Sequence, residues 1–253
     1  MRVLDEDEKP VFTVVNPGGK SRFLLTADHA GRAIPRALGD LGVNEADMER
    51  HIAWDIGIEG VTRGLAAALD ATAILQTYSR LVVDCNRPPS VPSAFPEVSE
   101  STPIPGNRGL TAAQKHARQV AIFDPYHAEI ARQIAAREEQ PIYVAMHSFT
   151  PVYLERAREM HVAVLYNRNP RLSHALAALL RREDGLVVEE NNPYRVTDET
   201  DFGVPVHAER GGLDYLAIEI RQDLIGDQHD QMAWAARLAR LLPQAMAELT
   251  NGG

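Results

Sequence analysis

What most constrains this chain is a rhythm in which short, almost wholly apolar runs alternate with longer stretches of helical periodicity. The runs at 11–15, 23–27, 72–76, 142–146, 162–166, 186–189 and 215–220 are too short for helices and rich in Val, Ile, Leu, Phe and Ala, so each reads as a largely buried strand. Between them, residues 44–69 repeat Val61, Leu65 and Leu69 every four positions behind Asn44 as a cap. Residues 111–139 form a long helical stretch interrupted at Asp124-Pro125, and 172–182 and 228–249 are also helical. Another β-branched run, 80–84, is expected to be a strand. The Pro- and Ser-crowded segment 88–109 is expected to be an irregular excursion of the kind that borders active sites. Strands alternating with helices point to the α/β class.

With 253 residues, 45% of them hydrophobic, the chain can fill one core, and 1–253 is expected to be a single domain. A formal charge of -9 gives no attraction to phosphate backbones or anionic lipid, so neither nucleic acid nor a membrane is an expected partner. Small molecules are. Cys85 is the only cysteine, so no internal disulfide or thiolate cluster can form, and any metal must be held by His and carboxylates. The first ten residues are acidic where a signal peptide would be basic then apolar, and no apolar run nears the roughly 20 residues of a membrane span. A cytoplasmic location follows as the expectation. A homo-oligomer stays open, although Trp234, Leu238, Leu241 and Leu242 of the last helix read as core residues rather than a dimer contact.

Ionisable residues cluster where strands end, the edge at which open α/β sheets bind ligands. The run 23–27 ends in Asp28-His29, 142–146 in His147-Ser148, and 81–83 in Asp84 followed by Asn86 and Arg87. The run 217–221 alternates, placing Glu219 and Arg221 on the face of Ala217. Two histidines from separate strands plus one carboxylate would make a three-ligand set with a coordination position left for water, as catalytic zinc requires. His51, Asp55 and Glu59 recur every four residues and would share a helix face. Periodicity does not choose between Asp55 and Glu59. Spacing alone leaves the ordinary alternatives standing, since strand-end histidines are often structural, charged stripes are often solvated, and no H-E-x-x-H signature occurs.

Five short segments in a fixed order carry more information. They are Asp28-His29-Ala30-Gly31 with Pro35 beyond, Trp54-Asp55-Ile56-Gly57, Ser79 to Pro88 (SRLVVDCNRP), Met146-His147-Ser148-Phe149-Thr150-Pro151, and Leu216 to Gln222 (LAIEIRQ). Together they span roughly residues 24–224 and resemble the N-formylglutamate amidohydrolase family, which is similar in architecture to zinc carboxypeptidases and zinc-dependent cell-wall amidases. The resemblance implies a three-layer α/β/α fold around a mixed, mainly parallel sheet, phosphorylase/hydrolase-like. It implies His29, Asp55 and His147 as metal ligands and Glu219 as the general base and acid. Related carboxypeptidases place a Glu three residues after the first His; Arg32 stands there in this chain, so the carboxylate ligand must come from elsewhere.

The expected cofactor is one Zn2+ per chain, or another divalent ion. The reaction that the resemblance implies is hydrolysis of an N-acyl amino acid, N-formyl-L-glutamate to formate and glutamate in histidine breakdown. Arg87 and Arg221 are expected to clamp substrate carboxylates, because a planar guanidinium binds them bidentately. Asn86 beside Arg87, and His207 in a loop, complete the expected substrate-binding set. Arg80, Arg195 and Arg210 rank behind them, and His116, His127, His161, His174 and His229 read as surface or structural. The long loops 89–109 and 197–212 are expected to shape specificity. Competing readings are a zinc hydrolase of another N-acyl amino acid or a peptide-like amide such as a wall fragment, a non-haem iron oxygenase, and a non-catalytic binding protein on the same fold.

Overall fold

Seven of the apolar runs assemble into one sheet. The structure, a computed structural model, describes residues 2–251. In chain order its elements are β1 (Phe12–Val15), β2 (Phe23–Ala27), α1 (Glu45–Met48), α2 (Ile58–Leu69), β3 (Thr72–Gln76), β4 (Val98–Ser99), β5 (Thr102–Pro103), α3 (Ala112–Arg118), α4 (Asp124–Ala135), β6 (Ile142–Phe149), β7 (Val152–Tyr153), β8 (Arg156–Ala157), β9 (Val162–Leu165), α5 (Arg171–Leu180), β10 (Val188–Glu190), β11 (Tyr215–Arg221) and α6 (Gln228–Asn251). The sheet order is β1-β3-β2-β6-β11-β9-β10. β3, β2, β6 and β11 run parallel, whereas β1 pairs antiparallel with β3 and β9 antiparallel with β11, and β10 runs parallel to β9. Every residue of β2 and β6 is buried, as expected of central parallel strands covered on both faces.

Two layers do the covering. Helices α2, α5 and α6 pack on the face that carries Leu25, Val144 and Ile218. Ile58, Val61 and Leu65 of α2 are wholly buried there, each contributing about 1.5–3 kcal/mol relative to exposure. Trp234, Leu238, Leu241 and Leu242 of α6 lie in the same core. On the opposite face, Tyr126 and Ile130 of α4 and Phe95 and Ile104 of the 88–109 excursion cover Leu24, Tyr143, Ala145 and Ala217. The result is three α/β/α layers around a mixed, mainly parallel sheet. Among the described residues no helix is long and apolar enough to cross a membrane.

Two expected elements differ. The 44–69 stretch is not one helix: Asn44 does cap α1, accepting from Asp47 N at 2.9 Å, but 49–57 is a run of turns before α2 begins. Gly57 is the reason. Its φ is +80°, and a Cβ there would lie 2.2 Å from the Ile225 carbonyl oxygen, so the chain arrives in a left-handed conformation with no room for a side chain. His51, Asp55 and Glu59 therefore do not share a helix face. Residues 80–84 are likewise turns, not a strand, although Leu81, Val82 and Val83 are buried. No neighbouring strand receives their backbone; instead Asn107 Nδ2 donates to the Leu81 carbonyl at 2.8 Å and Arg118 Nη1 to that of Val82 at 3.0 Å. Side chains thus satisfy the buried acceptors that a ladder would otherwise satisfy. Between α3 and α4 a π segment, Gln119–Phe123, carries the helical backbone without a break into Pro125 at the start of α4.

Candidate active site

At the carboxyl edge of the parallel strands, the topology gathers residues from distant parts of the chain. The β6–β11 register sets His147 opposite Glu219, so both project from adjacent strands on the face of Ala145 and Ala217. His29 follows β2, where Asp55 N donates to the His29 carbonyl at 2.9 Å and draws the 49–57 turns against the strand end. Two residues on, Gly31 lets the chain lie against the segment after β3, since a Cβ there would meet the Thr77 backbone at 2.0 Å. The residues border a cavity of about 330 Å³ that is also lined by Arg80, Asp84, Asn86, Arg87, Tyr194, Arg195 and Asp201.

At its floor, single donor atoms of His29, Asp55 and His147 lie within 4.8 Å of one another, and all three residues are buried. His147 Nδ1 lies 3.1 Å from Asp55 Oδ2, and His29 Nδ1 lies 3.5 Å from the same oxygen. His29 Nε2 donates to Asp84 Oδ1 at 2.7 Å, which fixes the tautomer and leaves a lone pair on Nδ1. That Nδ1 is buried and has no hydrogen-bond partner. Such an orphan, converging with a second imidazole and a carboxylate, is a donor set suited to a divalent metal ion.

Other groups hold these donors in place. Arg80 donates to Asp84 Oδ2 through Nε at 3.1 Å and Nη2 at 2.7 Å, while its Nη1 lies 3.5 Å from Asp55 Oδ1. Ser148 N donates to Asp55 Oδ2 at 3.2 Å. Burial opposes the charges on Asp55 and Asp84, but the neighbouring histidines, together with Arg80 at Asp84, hold both carboxyls below their ordinary value. Burial likewise opposes charge on His147, yet the Asp55 hydrogen bond and the charges of Glu219, Asp55 and Asp28 raise it to about 9. Asp28 Oδ1 accepts from Tyr126 Oη at 2.6 Å, and its unpartnered Oδ2 stands 3.9 Å from His147 Nε2.

Glu219 behaves differently. Burial, reinforced by the Asp55 charge, raises its carboxyl to about 7 against the pull of His147, His29 and Arg80. Its Oε2 is buried with no partner. A carboxyl poised near neutrality at a cavity wall is equipped to take up and release a proton. The Cys85 thiol, by contrast, is pushed well up by burial, which makes it a poor nucleophile.

Not every expected site residue lies in the cavity. His29, Asp55, His147, Glu219, Asn86 and Arg87 line it; Arg221 and His207 do not. Arg221 turns away at the strand end, donating to Asp223 and to the carbonyls of Arg158, Glu159 and Met160. His207 lies in a π turn, Gly203–Glu209, behind the cavity wall. There its Nε2–H donates at 2.8 Å to His127 Nδ1, because His127 Nε2–H is itself committed to the Cys85 carbonyl at 2.8 Å. Burial lowers His207 to about 4 and His127 to about 3. Glu59 pairs with Arg63 at the surface and does not compete with Asp55. Sequence reasoning did not foresee Asp84, Asp28 and Arg80 as supports of the donor set. The signal was the spacing of four between Arg80 and Asp84, which here spans a turn.

By family the chain is an amidohydrolase. It belongs to the N-formylglutamate amidohydrolase family, whose model matches residues 21–226. Among solved structures it is similar to the gene product Atu2144 from Agrobacterium tumefaciens, at 38% identity and a TM-score of 0.95, covering 98% of this chain and 100% of that one. It also has the fold of the N-formylglutamate amidohydrolase from Ralstonia eutropha JMP134, at 20% identity and a TM-score of 0.66, covering 92% of this chain and 98% of that one. None of the curated proteins compared matches the chain.

Proposed function

We propose that the chain is a cytoplasmic, metal-dependent hydrolase of the amide bond in N-acyl amino acids, with N-formyl-L-glutamate as the substrate and formate and L-glutamate as products. The observation that carries this reading is the pairing, on adjacent strands, of an unpartnered carboxyl near neutrality with a His–Asp–His donor set: Glu219 beside His147. His29 Nδ1, His147 Nδ1 and Asp55 Oδ2 would hold one zinc or another divalent ion per chain. Bound there, the ion would polarise the amide carbonyl and acidify water. Glu219 accepts the proton from the attacking water at its free oxygen and then delivers it to the departing amine nitrogen. Asp84 keeps His29 in the required tautomer, and Arg80 holds Asp84 and faces the cavity. Arg87 and Asn86 stand on the wall where the substrate's polar groups would lie.

The test is release of formate or free amino acid from a panel of N-formyl and N-acetyl amino acids, with and without a chelator. Chelator-sensitive turnover of N-formyl-L-glutamate supports the reading. Bound metal with no turnover of any N-acyl amino acid contradicts it.

A further inference from the structure

The wall of the cavity already contains a carboxylate where an acidic substrate would be expected to place one of its own. Asp201 Oδ1 accepts from Asn86 Nδ2 at 3.3 Å and from Arg87 Nη1 at 3.1 Å. Its Oδ2 accepts from Thr197 N at 2.9 Å and from Thr200 Oγ1 at 3.2 Å. Arg87 Nη1 donates in addition to the Thr200 carbonyl at 2.8 Å, and Asn86 Oδ1 accepts from Phe202 N at 3.3 Å and Gly203 N at 3.1 Å. Asn86 and Arg87 are therefore both engaged by the 197–203 segment, and the positive charge of Arg87 is answered within the chain.

The other cations on the cavity wall divide unequally. Arg80 is committed to Asp84 and Asp55. Arg195 lines the cavity and is exposed, and no hydrogen bond or ion pair joins it to a described residue. Five acidic side chains, Asp55, Asp84, Glu100, Asp201 and Glu219, line the same cavity. A substrate bearing one carboxylate finds a free guanidinium at Arg195. A second carboxylate must either displace Asp201 from Arg87 or lie beside it and meet like-charge repulsion in a partly desolvated space.

We infer that Asp201 is a specificity-determining residue that occupies the Arg87–Asn86 seat in competition with a substrate's second carboxylate. It thereby sets how strongly the chain distinguishes dianionic from monoanionic N-acyl amino acids. This inference rests on the hydrolase reading for its kinetic test but not for its binding test. Metal-loaded full-length protein and its Asp201→Asn and Asp201→Ser variants would be compared on N-formyl-L-glutamate and N-formyl-L-glutamine, which differ only in a carboxylate against an amide. Calorimetry would compare glutarate with 4-carbamoylbutanoate as ligands. The expected result is that both variants raise the glutamate-to-glutamine ratio of kcat/KM, and the glutarate-to-carbamoylbutanoate affinity ratio, at least tenfold, and that adding Arg87→Gln abolishes the gain. Unchanged ratios, or ratios that fall because Asp201 instead holds Arg87 ready for substrate, would overturn it. If neither N-formyl compound is hydrolysed, the proposed reaction fails while the glutarate measurement still decides the role of Asp201; no gain in glutarate affinity in the variants counts against it.

Discussion

Lowering the pH should expose the stacked histidine pair behind the cavity as a stability switch, and the size of the effect follows from its geometry. His127 and His207 are hydrogen-bonded to each other with their rings 5.1 Å apart, and burial lowers them to about 3 and about 4 from the ordinary imidazole value of 6.5. Between those values and 6.5 the unfolded chain binds protons that the folded chain does not, so stability falls as pH falls through that window. Each imidazole costs about 1.4 kcal/mol per pH unit there. From pH 8 to pH 5 the loss is about 2 kcal/mol for His127 and a similar amount for His207, roughly 4 kcal/mol together. Urea unfolding of wild type and His127→Gln across pH 5 to 8 reads the His127 contribution, against a chain in which His207 has lost that partner. The destabilisation measured for the variant near pH 8 should shrink by about 2 kcal/mol at pH 5. A difference that stays constant with pH would refute a neutral, desolvated pair.

Replacing Glu219 with Gln should reduce kcat/KM by about 10²–10⁴-fold, the usual contribution of a general acid–base group, while metal stoichiometry stays at the wild-type value; undiminished turnover would remove Glu219 from the chemistry. Asp84→Asn should weaken metal affinity by about 10–100-fold, as loss of a ligand-orienting partner does, which competition with a graded chelator would reveal. Chelation followed by readdition of zinc should abolish and then restore hydrolysis, and activity that survives exhaustive chelation would exclude a metal mechanism.

The seven sheet strands were legible because continuous apolar runs of four to eight residues have little alternative to central burial, and their polar ends pointed to one edge of the sheet. Glu219 was legible for a related reason: a lone carboxylate inside an otherwise apolar strand is costly unless it has work or a partner. What failed to show were features decided by loops. Asp55 reached the site through turns shaped by Gly57, where periodicity implied a helix face. Leu81 to Val83 looked like a strand because burial was legible and the source of their hydrogen bonds was not. Arg221 shares the strand alternation of Glu219, yet the strand ends at it and its guanidinium finds carbonyls from the 158–160 segment. The engagement of Arg87 by Asp201, 114 residues away in sequence, had no local signal at all.

The central claim, that His29, Asp55 and His147 hold a catalytic metal, is tested most directly by the metal content of the purified protein beside that of His29→Ala, Asp55→Ala and His147→Ala. One divalent ion per wild-type chain is expected, and its loss from each variant at unchanged secondary structure. Full metal stoichiometry in the variants, or folded wild-type protein that takes up no divalent ion when supplied with zinc, would contradict it.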